Sequence, residues 1–300
     1  MRIGYPCINR GIGCTGAATF RLKSYSEERL IATVKGNLAC LDAVLRYNLA
    51  HDILFFRITS DLVPFASHPV CTFDWSAHFG ETLARLGEFA RCHRFRLTMH
   101  PDQFVLLNSP SDDVNARSIA ELLYHAEVLD AMGMGPDAKI QIHIGGAYGD
   151  REGSLARFVR RCAVLDRRIR RRLVVENDDR LFTLADCVRV SEDAGIPVVL
   201  DWFHHQVNSS GESLKEALAR AAVTWGPSHG PPLVDYSSQK AGARQGSHAE
   251  SIDMGDFASF LAESDPHDFD LMLEIKDKEA SALKAVASAR GDPRFLGKGP

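Results

Sequence analysis

The chain has 300 residues, 45% apolar and 25% charged, with 35 Lys and Arg against 39 Asp and Glu, for a formal net charge of −4 with histidines neutral. That length allows two domains or one large α/β barrel, and the charge excludes a protein-wide basic field, leaving room only for a local basic groove. The seven cysteines, at positions 7, 14, 40, 71, 92, 162 and 187, are scattered without a CxxC pair and are read as free thiols of a reducing cytosol. The N-terminus "MRIGYPCINRG" has no basic segment leading into an apolar core of about 7 to 15 residues, and no apolar run reaches about 18 residues. The expectation is a cytoplasmic protein, nucleoid-associated if bacterial, with no signal peptide and no membrane contact.

In chain order, short β-branched runs alternate with helical stretches. Strands are predicted at 2–6 ("RIGYP"), 53–59 ("ILFFRIT"), 96–100 ("RLTMH"), 139–144 ("KIQIHI"), 172–177 ("RLVVEN"), 197–201 ("PVVLD"), 232–238 ("PLVDYSS") and 270–276 ("DLMLEIK"). Over 26–48, Leu30, Val34, Leu38, Leu41 and Leu45 recur every three or four residues, which predicts an amphipathic helix capped by Ser26. Gly195 and Pro197 close another helix before the sixth strand. Eight strands, each followed by a helix, predict an α/β (β/α)8 TIM barrel. No Gly/Ser-rich linker divides the chain, so residues 1–300 are taken as one domain. The stretches 202–213 and 236–252 read as extended loops above the barrel. The "GIGCTG" run at 11–16 lacks the Lys-Ser/Thr ending of a phosphate loop and reads as a flexible turn, with no nucleotide cofactor implied.

Barrels of this kind carry their chemistry at the C-terminal ends of the strands. Strand three ends in His100, four in His143, five in Glu176, six in Asp201 and eight in Glu274; strand seven carries Asp235, and His204 and His205 follow strand six. One strand-end histidine alone is usually structural. Several imidazoles and carboxylates on one face are different, because without a cation the carboxylates would repel one another and be driven towards protonation. These residue types bind Zn2+ or Mn2+, and Glu176, central in strand order, is the natural bridging ligand. A multi-metal cluster activates water and clamps the oxygens of an in-line phosphoryl displacement, which puts phosphodiester hydrolysis first among the possible chemistries.

The segments "GYPC", "FRITSDLVPFASHP" (56–69), "MHPDQF" (99–104), "HIGGAYGD" (143–150), "ENDDR" (176–180), "DWFHH" (201–205), "GSHAE" (246–250) and "LMLEIKDKE" (271–279) resemble the UV damage endonuclease family over almost the whole chain. That family shares its barrel and metal arrangement with endonuclease IV-type abasic-site nucleases. The resemblance implies ATP-independent incision of damaged double-stranded DNA immediately 5′ of cyclobutane dimers, 6-4 photoproducts and abasic sites, leaving 3′-hydroxyl and 5′-phosphate ends. It also implies three divalent metals, usually manganese, with Zn2+, Mg2+ or Co2+ as alternatives. His100, His143 and Glu176 match the first site, Glu176, Asp201 and Glu274 the second, and His204 with His248 the third, with His68 close by. Gln103 and Phe104 match the pair that probes the duplex, and Tyr5 and Asn9 match residues that hold the extruded lesion. Two departures stand out. Strand seven has Leu233 and Asp235 where many members have Lys-x-His, and Phe104 replaces a Tyr, keeping the stacking ring but losing the phenol hydrogen bond.

The third strand and its loop, "RLTMHPDQF" (96–104), fit this reading. His100 closes the strand on a metal, Pro101 turns the chain away, and Gln103 and Phe104 reach into a duplex whose damaged nucleotides are weakly stacked and easily extruded. The most basic run, "RRIRRR" (167–172), sits at a helix end below strand five, on the wrong side of the barrel for DNA. Phosphate contacts are expected instead from upper-face loops carrying Arg10, Arg21, Lys23, Arg57, Lys240, Arg244, Lys276 and Lys278. Lys276 is expected to steady the scissile phosphate while Glu176 bridges the metals. The rival readings are an enzyme restricted to abasic sites, a metal-dependent sugar isomerase or epimerase, and a non-cleaving lesion-binding module. The expected oligomeric state is a monomer.

Overall fold

A computed structural model describes residues 1–298. Eight short strands, β1 (Ile3–Cys7), β2 (Phe55–Ile58), β3 (Arg96–Met99), β4 (Lys139–His143), β5 (Leu173–Glu176), β6 (Val198–Asp201), β7 (Leu233–Tyr236) and β8 (Asp270–Leu273), close into a barrel in sequence order. All pairs are parallel, and the seam is closed by Ile3 beside Leu271. The helices that return the chain are α1 (Glu27–Ala50), α2 (Trp75–Cys92), α3 (Asp112–Ala131), α4 (Arg151–Ala163), α5 (Arg167–Arg170), α6 (Leu184–Ala194), α7 (Trp202–Val207), α8 (Leu214–Ala222), α9 (Met254–Ser264) and α10 (Glu279–Ala289). The expected barrel is therefore present, with α1 starting where Ser26 accepts a hydrogen bond from the Arg29 amide. At the end of α6, Gly195 adopts the left-handed conformation (φ 67°) that a side chain would resist.

Side chains alternate along each strand, so every second residue faces the barrel axis. Ile3, Tyr5, Phe56 and Leu97 point outwards into the large core between sheet and helices, while Phe55, Val174, Val199, Leu233 and Met272 form a separate apolar plug inside. Polar layers lie on both sides of that plug. Towards the strand starts, Arg96 Nη1 donates to Asp270 Oδ2 at 2.9 Å, and Lys139 Nζ lies 2.6 Å from His229 Nδ1. Towards the strand ends come Arg57, Gln141 and Asp235, and then the strand-end imidazoles and carboxylates.

Three expectations change here. Residues 202–207 form a helix rather than loop, because Asp201 caps it through a 2.8 Å bond from the His204 amide. Cys14 and Cys40 are joined by a disulfide, so not all seven cysteines are free thiols; Cys7, Cys71, Cys92, Cys162 and Cys187 remain so. That bond ties the 11–16 turn to α1, so the turn is anchored rather than loose. The basic run behaves as its position predicted: Arg172 is buried and bonds Asp130 and the carbonyls of Gly135, Ala138 and Met134. Among the described residues no helix is long and apolar enough to cross a membrane.

Candidate metal centre

Strand register puts the ligands side by side before any side-chain detail is considered. His143 on β4 is paired with Glu176 on β5, and Asp201 on β6 with Asp235 on β7. Glu176 Oε1 lies 2.9 Å from His100 Nε2 and 2.8 Å from His143 Nε2. Asp201 Oδ2 lies 3.0 Å from His204 Nδ1, and His248 Nδ1 lies 2.8 Å from the Glu274 carbonyl oxygen. The rings of His100, His143, His204 and His248 follow one another around the mouth with centroids 5.5, 6.0 and 6.2 Å apart. Donor atoms of His100, His143 and Glu176 fall within 4.8 Å of one another, as do those of Glu176, Asp201 and Asp235. Glu176 therefore belongs to both groups, as its place in strand order suggested.

Electrostatics reflect this crowding. Burial would raise the Glu176 carboxyl, but His143 and His100 hold it well below the usual carboxylate range. Burial opposes charge on His143, yet the Glu176 carboxylate lifts it to about 9; against the same opposition Asp201, Glu176 and Glu274 lift His204 to about 9. Burial pushes Asp201 well above its ordinary value despite His204. Burial works against Glu274 too, but Arg57 brings it down to about 2, whereas at Asp235 burial outweighs Arg57 and raises the group to about 7. Arg57 stays charged, since Asp235 and Glu274 more than offset its burial. Without cations, then, the cluster neutralises itself with protons on imidazoles and on the Asp201 carboxyl, and with one guanidinium.

Beside the cluster runs a groove of about 370 Å³ between the loop after β3 (His100, Gln103, Leu106) and the loop after β5 (Asp178, Arg180, Leu181). Gln103 lines it, and Phe104, 75% exposed, stands on the same loop with its ring in solvent. Other expected site residues are placed elsewhere. His68 is exposed and belongs to neither ligand group. Tyr5 and Asn9 are buried; the Tyr5 hydroxyl donates to Asn48 Oδ1 at 2.6 Å and accepts from Asn9 Nδ2 at 2.8 Å, so the pair braces β1 against α1 and offers no surface to a nucleotide. Arg57 is buried inside the barrel and is not a DNA contact. Lys240 and Lys276 are half-exposed and both held by Glu250 at 3.0 Å, out of contact with the cluster, and Arg244 is exposed on the same side loop.

Sequence reasoning passed over several supporting residues. Gln141 donates to Glu176 and, at 2.6 Å, to Asp235. The alternation of Lys139, Gln141 and His143 in an otherwise apolar strand signalled its inward direction. Asn177 clasps the Asp201 backbone at both N and O (3.0 and 2.9 Å), and Ser237 Oγ lies 2.9 Å from His248 Nδ1. Of the upper-face cations that the sequence did offer, Lys278 is half-buried, and burial lowers its pKa with only partial opposition from Cys7 and Glu274.

A closed parallel barrel with imidazoles and carboxylates gathered at its C-terminal mouth defines a TIM-barrel enzyme whose strand ends offer ligands to divalent cations. The sequence matches the family described as UV-endonuclease UvdE over residues 2–291, and the chain belongs to that family of UV-damage endonucleases. It is 34% identical over 308 residues to a UV DNA damage endonuclease of Bacillus cereus (strain 03BB102), covering 98% of this chain and 97% of that protein. The crystal structure of SacUVDE superposes with a TM-score of 0.94 at 43% identity, covering 99% of this chain and 100% of that one. Endonuclease IV from Thermus thermophilus shares the fold, with a TM-score of 0.59 at 18% identity over 97% of this chain and 98% of its own.

Proposed function

We propose that the protein hydrolyses the phosphodiester immediately 5′ of a damaged nucleotide in duplex DNA, at UV photoproducts and at abasic sites, using divalent cations and leaving 3′-hydroxyl and 5′-phosphate ends. One observation carries this reading: Glu176 belongs to two converging groups of donor atoms, one with His100 and His143, the other with Asp201 and Asp235. The donor set fits hard to intermediate divalent cations such as Mn2+ or Zn2+. A buried atom without a partner, His143 Nδ1, marks the cluster as incompletely satisfied by protein alone. His100, His143, Glu176, Asp201, Glu274, His204 and His248 would hold the cations. Bound there, these would lower the pKa of a water and neutralise charge developing on the phosphoryl oxygens.

The chain's own groups do the rest. Glu176 is held by Gln141 on one oxygen and by the two imidazoles on the other, which fixes its carboxylate between them. Asp201, fixed by Asn177, holds the start of α7 and with it His204. Gln103 and Phe104 reach from the groove's edge towards the duplex, where a ring can fill the gap that an extruded nucleotide leaves. A photodimer is weakly stacked, so the energy needed to extrude it is smaller than for sound bases, and selectivity follows without readout of one lesion's chemistry. The test is a nicking assay on oligonucleotides with one photodimer, one abasic site or no damage, with and without EDTA. Cleavage 5′ of both lesions, stopped by EDTA and restored by Mn2+, is expected; cleavage of the abasic duplex alone would replace this reading with an abasic-only nuclease.

A further inference from the structure

We infer that Asp235 serves this protein as the counter-ion of Arg57 rather than as a metal ligand, and that Arg57 and Gln141 together form a platform positioning Glu176 and Glu274 from beneath. The inference rests on the multi-metal reading only for what the platform supports. Asp235 Oδ2 is engaged twice, by Arg57 Nη2 at 2.7 Å and by Gln141 Nε2 at 2.6 Å. Arg57 Nη1 also donates to Glu274, Arg57 Nη2 reaches Gln141 Oε1 at 3.1 Å, and the Gln141 amide donates to Glu176. Two side chains thus tie three carboxylates from three different strands.

The position explains the pairing. Arg57, Gln141 and Asp235 share the inward-facing parity of their strands one layer below the strand ends, directly above the plug of Phe55, Val174, Val199, Leu233 and Met272. Leu233 adds to that plug and offers the guanidinium no polar atom from below. A charge in such a place needs a paired partner, and of the two carboxylates that reach it, Glu274 and Asp235, Asp235 is the more deeply buried, at 1% exposed. A divalent cation on Asp235 would sit against a fixed positive charge whose donor hydrogens already take the Oδ2 lone pairs. Asp235 Oδ1 has no partner, and its closeness to Glu176 and Asp201 is the feature a ligand reading would use. The two readings make opposite demands of the metal-free protein. A ligand carboxylate crowded by other carboxylates is strained until metal arrives, so neutralising it stabilises the metal-free fold; a counter-ion is needed wherever it is ionised, so neutralising it at alkaline pH, with Arg57 left to Glu274 alone, destabilises that fold.

The experiment compares wild type with Asp235→Asn, an isosteric change that keeps an acceptor for Arg57, by thermal melting of EDTA-stripped protein at alkaline pH and by Mn2+ counting after equilibrium dialysis. The expected result is a lower melting temperature for the metal-free variant and the same number of Mn2+ bound per chain as wild type. One Mn2+ fewer, or a metal-free variant that melts higher than wild type, would overturn the inference. If wild type itself binds no Mn2+, the multi-metal reading fails while the melting comparison still decides the role of Asp235. Should Asp235→Asn not fold, Arg57→Met and Arg57→Lys serve instead. Loss of the cation leaves two carboxylates uncompensated, so added Mn2+ should raise the melting temperature of Arg57→Met more than that of wild type, with Arg57→Lys restored towards wild type. Equal Mn2+ shifts in all three would count against the platform.

Discussion

Replacing Glu176 with Gln removes the charge two imidazoles share while keeping the side chain's shape. His143 titrates at about 9 instead of an ordinary 6.5, held there by Glu176 against its own burial. At about 1.36 kcal/mol per pKa unit, the carboxylate outweighs burial by on the order of 3 kcal/mol. In the variant the burial remains and the attraction is gone, so His143 should titrate at or below 6.5, which imidazole NMR of the metal-stripped protein reads directly. The sign for stability follows from linkage. A histidine whose folded pKa is raised stabilises the metal-free protein fully below about 6.5 and loses that contribution as pH rises through about 9. Glu176→Gln should flatten this dependence and lower nicking by at least about 100-fold. A His143 that still titrates near 9 in the variant would refute the assignment of Glu176 as the group that organises the cluster.

Phe104→Ala, which removes a ring that is 75% exposed, should weaken binding to a lesion duplex by about 1–3 kcal/mol in fluorescence anisotropy, and to intact duplex by less; equal losses would remove Phe104 as a probe. Protons held on His143 and His204 at about 9 must leave when cations bind, so Mn2+ affinity should weaken as pH falls through about 9, with proton release visible by calorimetry in buffers of different ionisation enthalpy. At the other end of the barrel, burial lowers Lys139 from 10.5 to about 7. That depressed value means the fold gains stability from this group as pH rises from about 7 towards 10.5, and Lys139→Met should abolish the gain; urea midpoints of the two proteins that run parallel across the window would contradict it. Replacing Cys14 and Cys40 with Ser removes a cross-link between residues 26 apart. It should lower stability by about 3 kcal/mol in chemical denaturation if chain entropy governs.

How much of this was legible differs between the rim of the barrel and its walls. The strand ends were readable because buried parallel strands appear as short β-branched runs, and an imidazole or carboxylate where such a run stops has few places to point. Hence His100, His143, Glu176, Asp201 and Glu274 could be read as strand ends, and the structure brings the donor atoms of the first four into two groups that share Glu176, whereas the Glu274 carboxylate pairs with Arg57. Outside β4, with its alternating Lys139, Gln141 and His143, both faces of the strands are buried and little polar-apolar alternation tells in from out. Tyr5 therefore looked able to face a lesion although it packs beneath α1, and Arg57 looked like a phosphate contact although it points to the axis. Lys276 follows Glu274 by two residues but lies beyond the strand, where the chain turns outwards and Glu250 takes it. His68 follows a turn whose path no local pattern sets. The Cys14–Cys40 pairing depends on a Cα separation of 5.9 Å that only the packing of the turn on α1 creates.

Anomalous diffraction at the manganese edge, from crystals of Mn2+-loaded protein that nicks a photodimer duplex, is the most direct measurement of whether these strand ends meet around cations. Peaks flanking Glu176, one beside His100 and His143 and another beside Asp201, are the predicted result. A mouth without such peaks in protein that still cleaves would contradict it.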